Sequence, residues 1–185
     1  LLEVMRITVL RPYITRERAT AMFRRGFREF RYGQFRQAFD FYVPFRLFQV
    51  KVDDGRKIND TLLAIDASTA HLDLIQFDEI PGGDERFHLE SEKPLPVSRL
   101  DVDQREAFKR LEEKIMRSVF VRGFFRLAGW RVSGEQVEVL YLPYWVGVYE
   151  RRGQARLEII DARRGRFEGA KLREIVADWF RSELL

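Results

Sequence analysis

Cysteine is absent from this chain, which excludes a disulfide framework, a thiolate metal site and a cysteine nucleophile. Histidine is nearly absent. His71 and His88 stand seventeen residues apart in different local contexts, and neither has Asp or Glu partners at a metal-ligand spacing. They read as a strand histidine and a loop histidine, and no metal or cofactor is expected. There is no Gly-x-Gly-x-x-Gly run, no phosphate-binding Walker loop and no Gly-x-Ser-x-Gly elbow. No apolar run approaches the ~20 residues of a membrane-spanning helix, and no secretory leader is visible. The chain opens at Leu1 and not at Met. The cytoplasm is favoured as location, with an extracytoplasmic one left open because a preceding segment is compatible with such a start.

What remains is a globular composition. Hydrophobic residues make up 45% and charged residues 34% of 185, a balance that supports a packed core and argues against disorder. A chain of this length buries about 70% of its unfolded surface and needs no metal or disulfide staple. The 16 phenylalanines are sufficient to fill helix–sheet interfaces. The net charge of +4 is unevenly spread. Residues 1–50 hold ten arginines against four acids, residues 51–115 ten basic against sixteen acidic residues, and the remainder thirteen against nine. Two basic ends flanking an acidic middle hint at an anionic partner.

Self-similarity is the strongest signal. Phe41-Tyr42-Val43-Pro44-Phe45-Arg46-Leu47 is echoed by Leu140-Tyr141-Leu142-Pro143-Tyr144-Trp145-Val146, and Leu62-Leu63-Ala64-Ile65-Asp66-Ala67 by Leu157-Glu158-Ile159-Ile160-Asp161-Ala162. The order is conserved between the two, and the offset changes by four residues, which fits a longer hairpin loop at Asp53-Asp54-Gly55 than at Arg151-Arg152-Gly153. Each block follows a helical segment. The pattern predicts an α+β fold of two repeated helix-plus-antiparallel-sheet units with a C-terminal helix. Residues 1–80 form the first repeat, 81–99 a connector, and 100–185 the second repeat with the final helix.

Within the first repeat, Thr15 is a suitable N-cap for a helix ending at Gly33. Met22, Phe23, Phe27 and Phe30 recur at helical spacing and are expected to form one buried face. Arg24, Arg28 and Arg31 line another, with Arg25 beside them. A strand run over 35–52 follows, with Pro44 at an edge, bulge or bend. Asp54-Gly55 turns the chain into a return strand over 61–66, and a third strand is expected over 70–77. In the second repeat, Asp103 with Glu106 resembles a capping box, and Phe108, Leu111, Ile115, Val119 and Phe120 supply a buried stripe in a helix running to Ala128. Gly134 reads as a turn, followed by strands over 136–149, 155–161 and 165–168. A last helix spans 170–184, with Leu172, Ile175, Val176 and either Trp179 or Phe180 facing inward.

The segment Ile160-Asp161-Ala162-Arg163-Arg164-Gly165-Arg166, after Tyr141-Leu142-Pro143-Tyr144-Trp145-Val146, resembles PepSY-like domains and more loosely the cystatin-like fold. The first copy carries Ile65-Asp66-Ala67-Ser68-Thr69-Ala70-His71, with Ala70 in place of the glycine. The resemblance covers about 60 residues per copy and implies a small curved antiparallel sheet cradling a helix, with a binding or regulatory role and no catalysis. The inhibitory Gln-x-Val-x-Gly loop of cystatins has no match in Gln136-Val137-Glu138-Val139-Leu140, so protease inhibition is not implied.

Several constellations invite function. Asp66 and Asp161 occupy equivalent positions and could form a carboxylate pair; alternatively each opens a turn and accepts backbone N–H groups. Glu168-Gly169-Ala170-Lys171 reads as a strand-to-helix turn. Tyr144, Trp145 and Tyr149 lie beside Arg151 and Arg152; core packing is the leading role for these rings, and one of them exposed on an edge strand would instead make a hot spot for a protein or peptide partner, or for a homodimer. The interleaved run Phe23-Arg24-Arg25-Gly26-Phe27-Arg28-Glu29-Phe30-Arg31 has the composition of a nucleic-acid surface. If its rings share the buried face, only Arg24, Arg25, Arg28 and Arg31 remain for anion binding. The leading expectation is a noncatalytic protein- or peptide-binding module. Nucleic-acid binding through the Arg-rich helix is one alternative, and an enzyme built on an unrecognised carboxylate site is another.

Overall fold

The computed structural model describes residues 5–91, 94–121 and 129–183. Among them are seven strands and four α-helices in the order β1 (Met5–Leu10), α1 (Arg16–Arg24), α2 (Arg28–Tyr32), β2 (Gln34–Asp53), β3 (Ile58–Asp66), β4 (Ile75–Phe77), β5 (Arg86–Ser91), α3 (Gln104–Val121), β6 (Arg131–Arg151), β7 (Gln154–Asp161) and α4 (Ala170–Glu183). The protein is α+β with a mixed sheet. Hydrogen bonding links the strands in the order β4-β3-β2-β6-β1-β5, and β7 also pairs with β6.

The chain divides into two compact units. One comprises Leu1–Val43, Asp84–Ser98 and Tyr141–Leu185, and the other comprises Pro44–Gly83 and Arg99–Leu140. These units interleave along the sequence and do not follow the sequential halves 1–80 and 100–185. The reason is which helix covers which hairpin. In the first unit α1 lays Ala19 and Phe23 on Tyr149 and Ile160 of the β6–β7 hairpin. In the second unit α3 lays Ala107, Leu111 and Ile115 on Phe48, Val50 and Ile65 of the β2–β3 hairpin. Each helix therefore covers a hairpin distant in sequence, and all four helix residues that lead these contacts (Ala19, Phe23, Ala107, Leu111) are wholly buried.

The two hairpins share local geometry. Phe45, after Pro44, pairs with Asp66, and Tyr144, after Pro143, pairs with Asp161. Each proline stands where its hairpin ladder begins, where its missing N–H removes no bond from that ladder. Its carbonyl still accepts a bond: from the N–H of Ala67 at 2.8 Å for Pro44, and from that of Ala162 at 3.1 Å for Pro143. Asp66 and Asp161 then turn the chain. The Asp66 carboxylate accepts from the N–H groups of Thr69, Ala70 and Leu72, and that of Asp161 from those of Arg163 and Arg164. Four residues on, Ala70 (φ 58°) and Gly165 (φ 66°) both take the left-handed conformation.

The helix entries correspond as well. Thr15 caps α1 by accepting from the N–H of Arg18 at 3.3 Å, and Asp103 accepts from the N–H of Glu106 at 2.9 Å at the start of α3. The residue before each cap is tied to its hairpin. The Ile14 N–H donates to the Ala162 carbonyl, and the Val102 N–H to that of Ala67. In turn the Ile14 carbonyl accepts from Trp145 Nε1 at 2.7 Å, and the Val102 carbonyl from Arg46 Nε at 2.9 Å.

Several expectations need correction. Gly134 is no turn; it lies within β6, where an added Cβ would meet the Gln49 carbonyl oxygen at 2.8 Å and the Phe108 ring at 2.9 Å. The third strand is only Ile75–Phe77, because Asp66 draws Ala70 and Leu72 into its turn. The segment taken as a connector contains β5, which pairs antiparallel with β1 from Leu10↔Arg86 to Met5↔Ser91. Ile7, Val9 and Tyr42 form a small core there with Phe87, Leu89, Leu95, Val97 and Tyr141. The C-terminal helix is present as Ala170–Glu183, burying Leu172, Ile175 and Val176. It sets Trp179 against Phe41 and Phe180 against Phe39 with ring centroids 5.5 and 5.6 Å apart. The expected extension of the second helix toward Ala128, and the Phe120 side chain, lie outside the described residues.

Candidate binding surface

Gly26 decides what the Arg-rich segment presents. At φ +72° it lies in the left-handed region, so α1 stops at Arg24 and a separate short helix starts at Arg28. The single apolar face expected for Met22, Phe23, Phe27 and Phe30 is therefore broken. Phe23 is wholly buried against Phe35, Tyr149 and Phe167 at centroid distances of 5.8, 6.4 and 5.9 Å. Phe27 and Phe30 are 86% and 82% exposed. The α1-to-α2 corner is thus a knuckle of two uncovered rings set among arginines.

The knuckle is held firmly from below. Tyr149 Oη donates to the Phe23 carbonyl at 2.6 Å, and burial raises the Tyr149 phenol well above its ordinary range, so it stays a donor. Gly33 ends α2 at φ +105°, and any Cβ there would lie 2.3 Å from the Glu150 carbonyl oxygen. The Glu29 carboxylate accepts from the N–H of Phe35 at 3.2 Å. Arg28 spans the knuckle's underside. It pairs with the buried Glu158 at 3.1 Å and lies over the Phe167 ring at 3.3 Å, and Glu158 also receives Arg173 at 3.3 Å. Two guanidinium groups therefore satisfy this buried carboxylate.

Of the four arginines expected to bind anions, Arg28 is thus committed to structure. Arg24, Arg25 and Arg31 are exposed and form no ion pair among the described residues. The Arg24 guanidinium lies over the Phe35 ring and that of Arg31 over Tyr32, each 5.2 Å from the centroid. Such a cation–π contact leaves the N–H donors of the guanidinium available to an anion.

The second candidate set divides differently. Tyr144 (2% exposed) and Tyr149 (0%) are core residues and offer no ring to a partner. Trp145 is half-buried, with its indole N–H committed to Ile14. Arg151 and Arg152 are exposed, and Arg151 Nη1 donates to the Arg31 carbonyl at 3.1 Å. The structure so joins Arg151 to the Arg24–Arg31 segment, a proximity invisible in sequence, where the two stand 120 residues apart. Glu150 alongside is neutralised by Arg36 at 2.9 Å. Gly26 was the available signal for the exposed rings: a glycine inside a helical pattern weakens the helix there, even though the apolar spacing continues across it.

The remaining candidates are structural. Asp66 and Asp161 are filled by backbone donors, and Asp161 is further paired with Arg164 at 2.5 Å. Glu168 forms ion pairs with Arg164 and Arg166 at 3.6 and 3.4 Å, and Gly169 leads into α4. His88 faces Thr8 across β1–β5 at 3.1 Å, and His71 is exposed. Among the described residues no group of three or more His, Asp or Glu could hold a metal ion, and no helix is long and apolar enough to cross a membrane. No family model matches the chain, and no curated protein or solved structure matches it either.

Proposed function

We propose that this chain is a noncatalytic binding module built from two divergent copies of one helix-plus-hairpin plan, with the α1–α2 knuckle as its working surface. One observation carries the proposal: Phe27 and Phe30 stand almost fully exposed beside arginines that no acid among the described residues neutralises. Exposed large rings lower solubility and gain nothing for folding, so their position on a rigid support points to a ligand. The surrounding charge says that the ligand is anionic. Kinship of the two copies draws support from the matched Pro–Asp registers, the left-handed Ala70 and Gly165, and the matched caps at Thr15 and Asp103. PepSY-like or cystatin-like ancestry would suit a binding role of this kind.

The test is retention on an immobilised polyanion such as heparin, eluted with salt. The wild-type chain is expected to elute at clearly higher salt than a triple variant with Arg24, Arg25 and Arg31 each changed to Gln. Equal elution of the two would remove the knuckle as the working surface. An acidic protein segment as the ligand would be the outcome favoured if polyanion retention were strong and nucleic acids did not bind.

A further inference from the structure

The knuckle carries two features that a merely basic surface lacks. It presents two exposed rings, Phe27 and Phe30, and two of its guanidinium groups lie over rings, Arg24 over Phe35 and Arg31 over Tyr32. Phe27 is the N-cap of α2 and Phe30 lies in its first turn. Residues three apart on a helix stand about 5–6 Å apart at Cβ. That separation accommodates two neighbouring bases splayed from a single strand, each resting on one ring. A duplex hides its base faces, so exposed rings gain nothing from it. A bilayer would require a continuous apolar stripe, but here the rings are flanked by Arg25, Arg28, Glu29 and Arg31 with no exposed aliphatic side chain among residues 24–31. Arg24 and Arg31, lying over Phe35 and Tyr32, have N–H edges suited to bidentate phosphate contact.

We propose that the knuckle is a single-stranded nucleic-acid site, in which Phe27 and Phe30 stack bases and Arg24, Arg25 and Arg31 contact phosphates. This rests on the reading of the knuckle as the working surface and specifies its ligand. Arg151, bound to the Arg31 carbonyl, extends the basic track beyond the rings. Because the rings are exposed and the fold does not use them, their removal should alter binding and leave folding intact.

The experiment is fluorescence anisotropy with labelled single-stranded DNA and RNA of about 16 nucleotides, the upper end of a single-fold site, and with the matching duplex. The wild type, Phe27→Ala, Phe30→Ala and the triple Arg→Gln variant are compared at low and near-physiological salt, with thermal melts confirming equal folding. Single strands are expected to bind more tightly than duplex. Each Phe→Ala change should weaken single-strand binding by about tenfold, the size of one lost stacking contact, without altering the salt slope. The triple Arg variant should flatten that slope by roughly 0.7 per lost contact. Equal affinity of wild type and Phe variants for single strands would overturn the proposal, as would duplex preference. If the protein is retained on heparin in an Arg-dependent way yet binds no oligonucleotide, the working surface stands and this ligand falls. Binding to phosphatidylserine vesicles that is lost in the Phe variants, with no oligonucleotide binding, would assign the knuckle to membranes instead and likewise overturn it.

Discussion

The two helix–hairpin pairs solve one packing problem with opposite distributions of bulk. On α1 the buried residue is Phe23, and the strand below yields to it: an added Cβ on Gly147 would lie 2.6–2.8 Å from the Phe23 ring. On α3 the corresponding contact is made by the smaller Leu111, and the strand supplies Phe48, whose ring lies 5.5 Å from that of Phe108. Gly147 and Phe48 each stand four residues after the hairpin proline. A dense interior fixes the total volume at such a junction and leaves open which side provides it. The two strands therefore carry glycine and phenylalanine at this position while each junction is filled from one side or the other.

The largest test of this comparison is covalent. Cleaving the chain between Gly82 and Gly83 leaves α1 on one fragment and its β6–β7 hairpin on the other, and separates β2–β3 from α3 in the same way. Each fragment alone should lack a cooperative thermal transition by circular dichroism, and mixing should restore one. A cooperative transition in either fragment would mean that a helix can also serve the hairpin nearest to it in sequence.

Exchange of bulk comes next. Phe48→Ala is expected to destabilise by about 3–5 kcal/mol through cavity formation. Gly147→Ala should cost about 1–3 kcal/mol through overpacking, and Phe23→Leu in that background should recover part of the loss. Chemical denaturation of both singles and the double gives the coupling directly. Additive losses would show that the ring and the glycine do not share one space.

A smaller difference lies in the turns. Ala70 tolerates a left-handed backbone that Gly165 adopts without a Cβ penalty. Gly165→Ala should cost about 1–2 kcal/mol, aggravated by Ile14 Cδ1 at 3.0 Å from the new Cβ. Ala70→Gly should change stability by less than about 1 kcal/mol, because relief of strain opposes added chain entropy. Equal effects at the two sites would deny that they play the same role.

The helix caps give the smallest effect, and it is one of pH. Thr15 is uncharged, whereas the Asp103 carboxyl is held below its ordinary range, chiefly by the Glu106 N–H. A lowered folded-state pKa contributes stability that is present above the unfolded value and lost as pH falls through the folded one. Asp103→Asn should therefore remove a small part of the acid-side loss of stability, and Thr15→Asn none. Denaturation midpoints at neutral and acid pH would show this, and identical acid-side loss in the Asp103→Asn variant would refute it.

Much of this architecture was legible before any coordinates. Thr15 and Asp103 mark helix starts because capping bonds run only three residues along the chain. Pro44, Pro143, Asp66 and Asp161 mark the hairpins because ring chemistry and short carboxylates act on neighbouring backbone. The candidate site was legible only in composition. Composition marks Arg24, Arg25, Arg28 and Arg31 as charges without showing that Arg28 is held by Glu158, and periodicity places Phe27 and Phe30 in the core although Gly26 ends the helix before them. Strands β1 and β5 leave little trace in the sequence because each is short and is paired chiefly with the other.

The sequence alone determined the local devices: caps, turns, the residues after each proline, and the supply of aromatic bulk. Only the tertiary structure decided that α1 covers β6–β7 and α3 covers β2–β3, that Phe23 is buried while Phe27 and Phe30 are not, and that Arg151 meets Arg31. Local hydrogen bonds are directional and act within a few residues, so they leave a readable trace. Apolar burial has no direction and accepts any complementary face, so the choice among faces emerges only when the whole chain is packed.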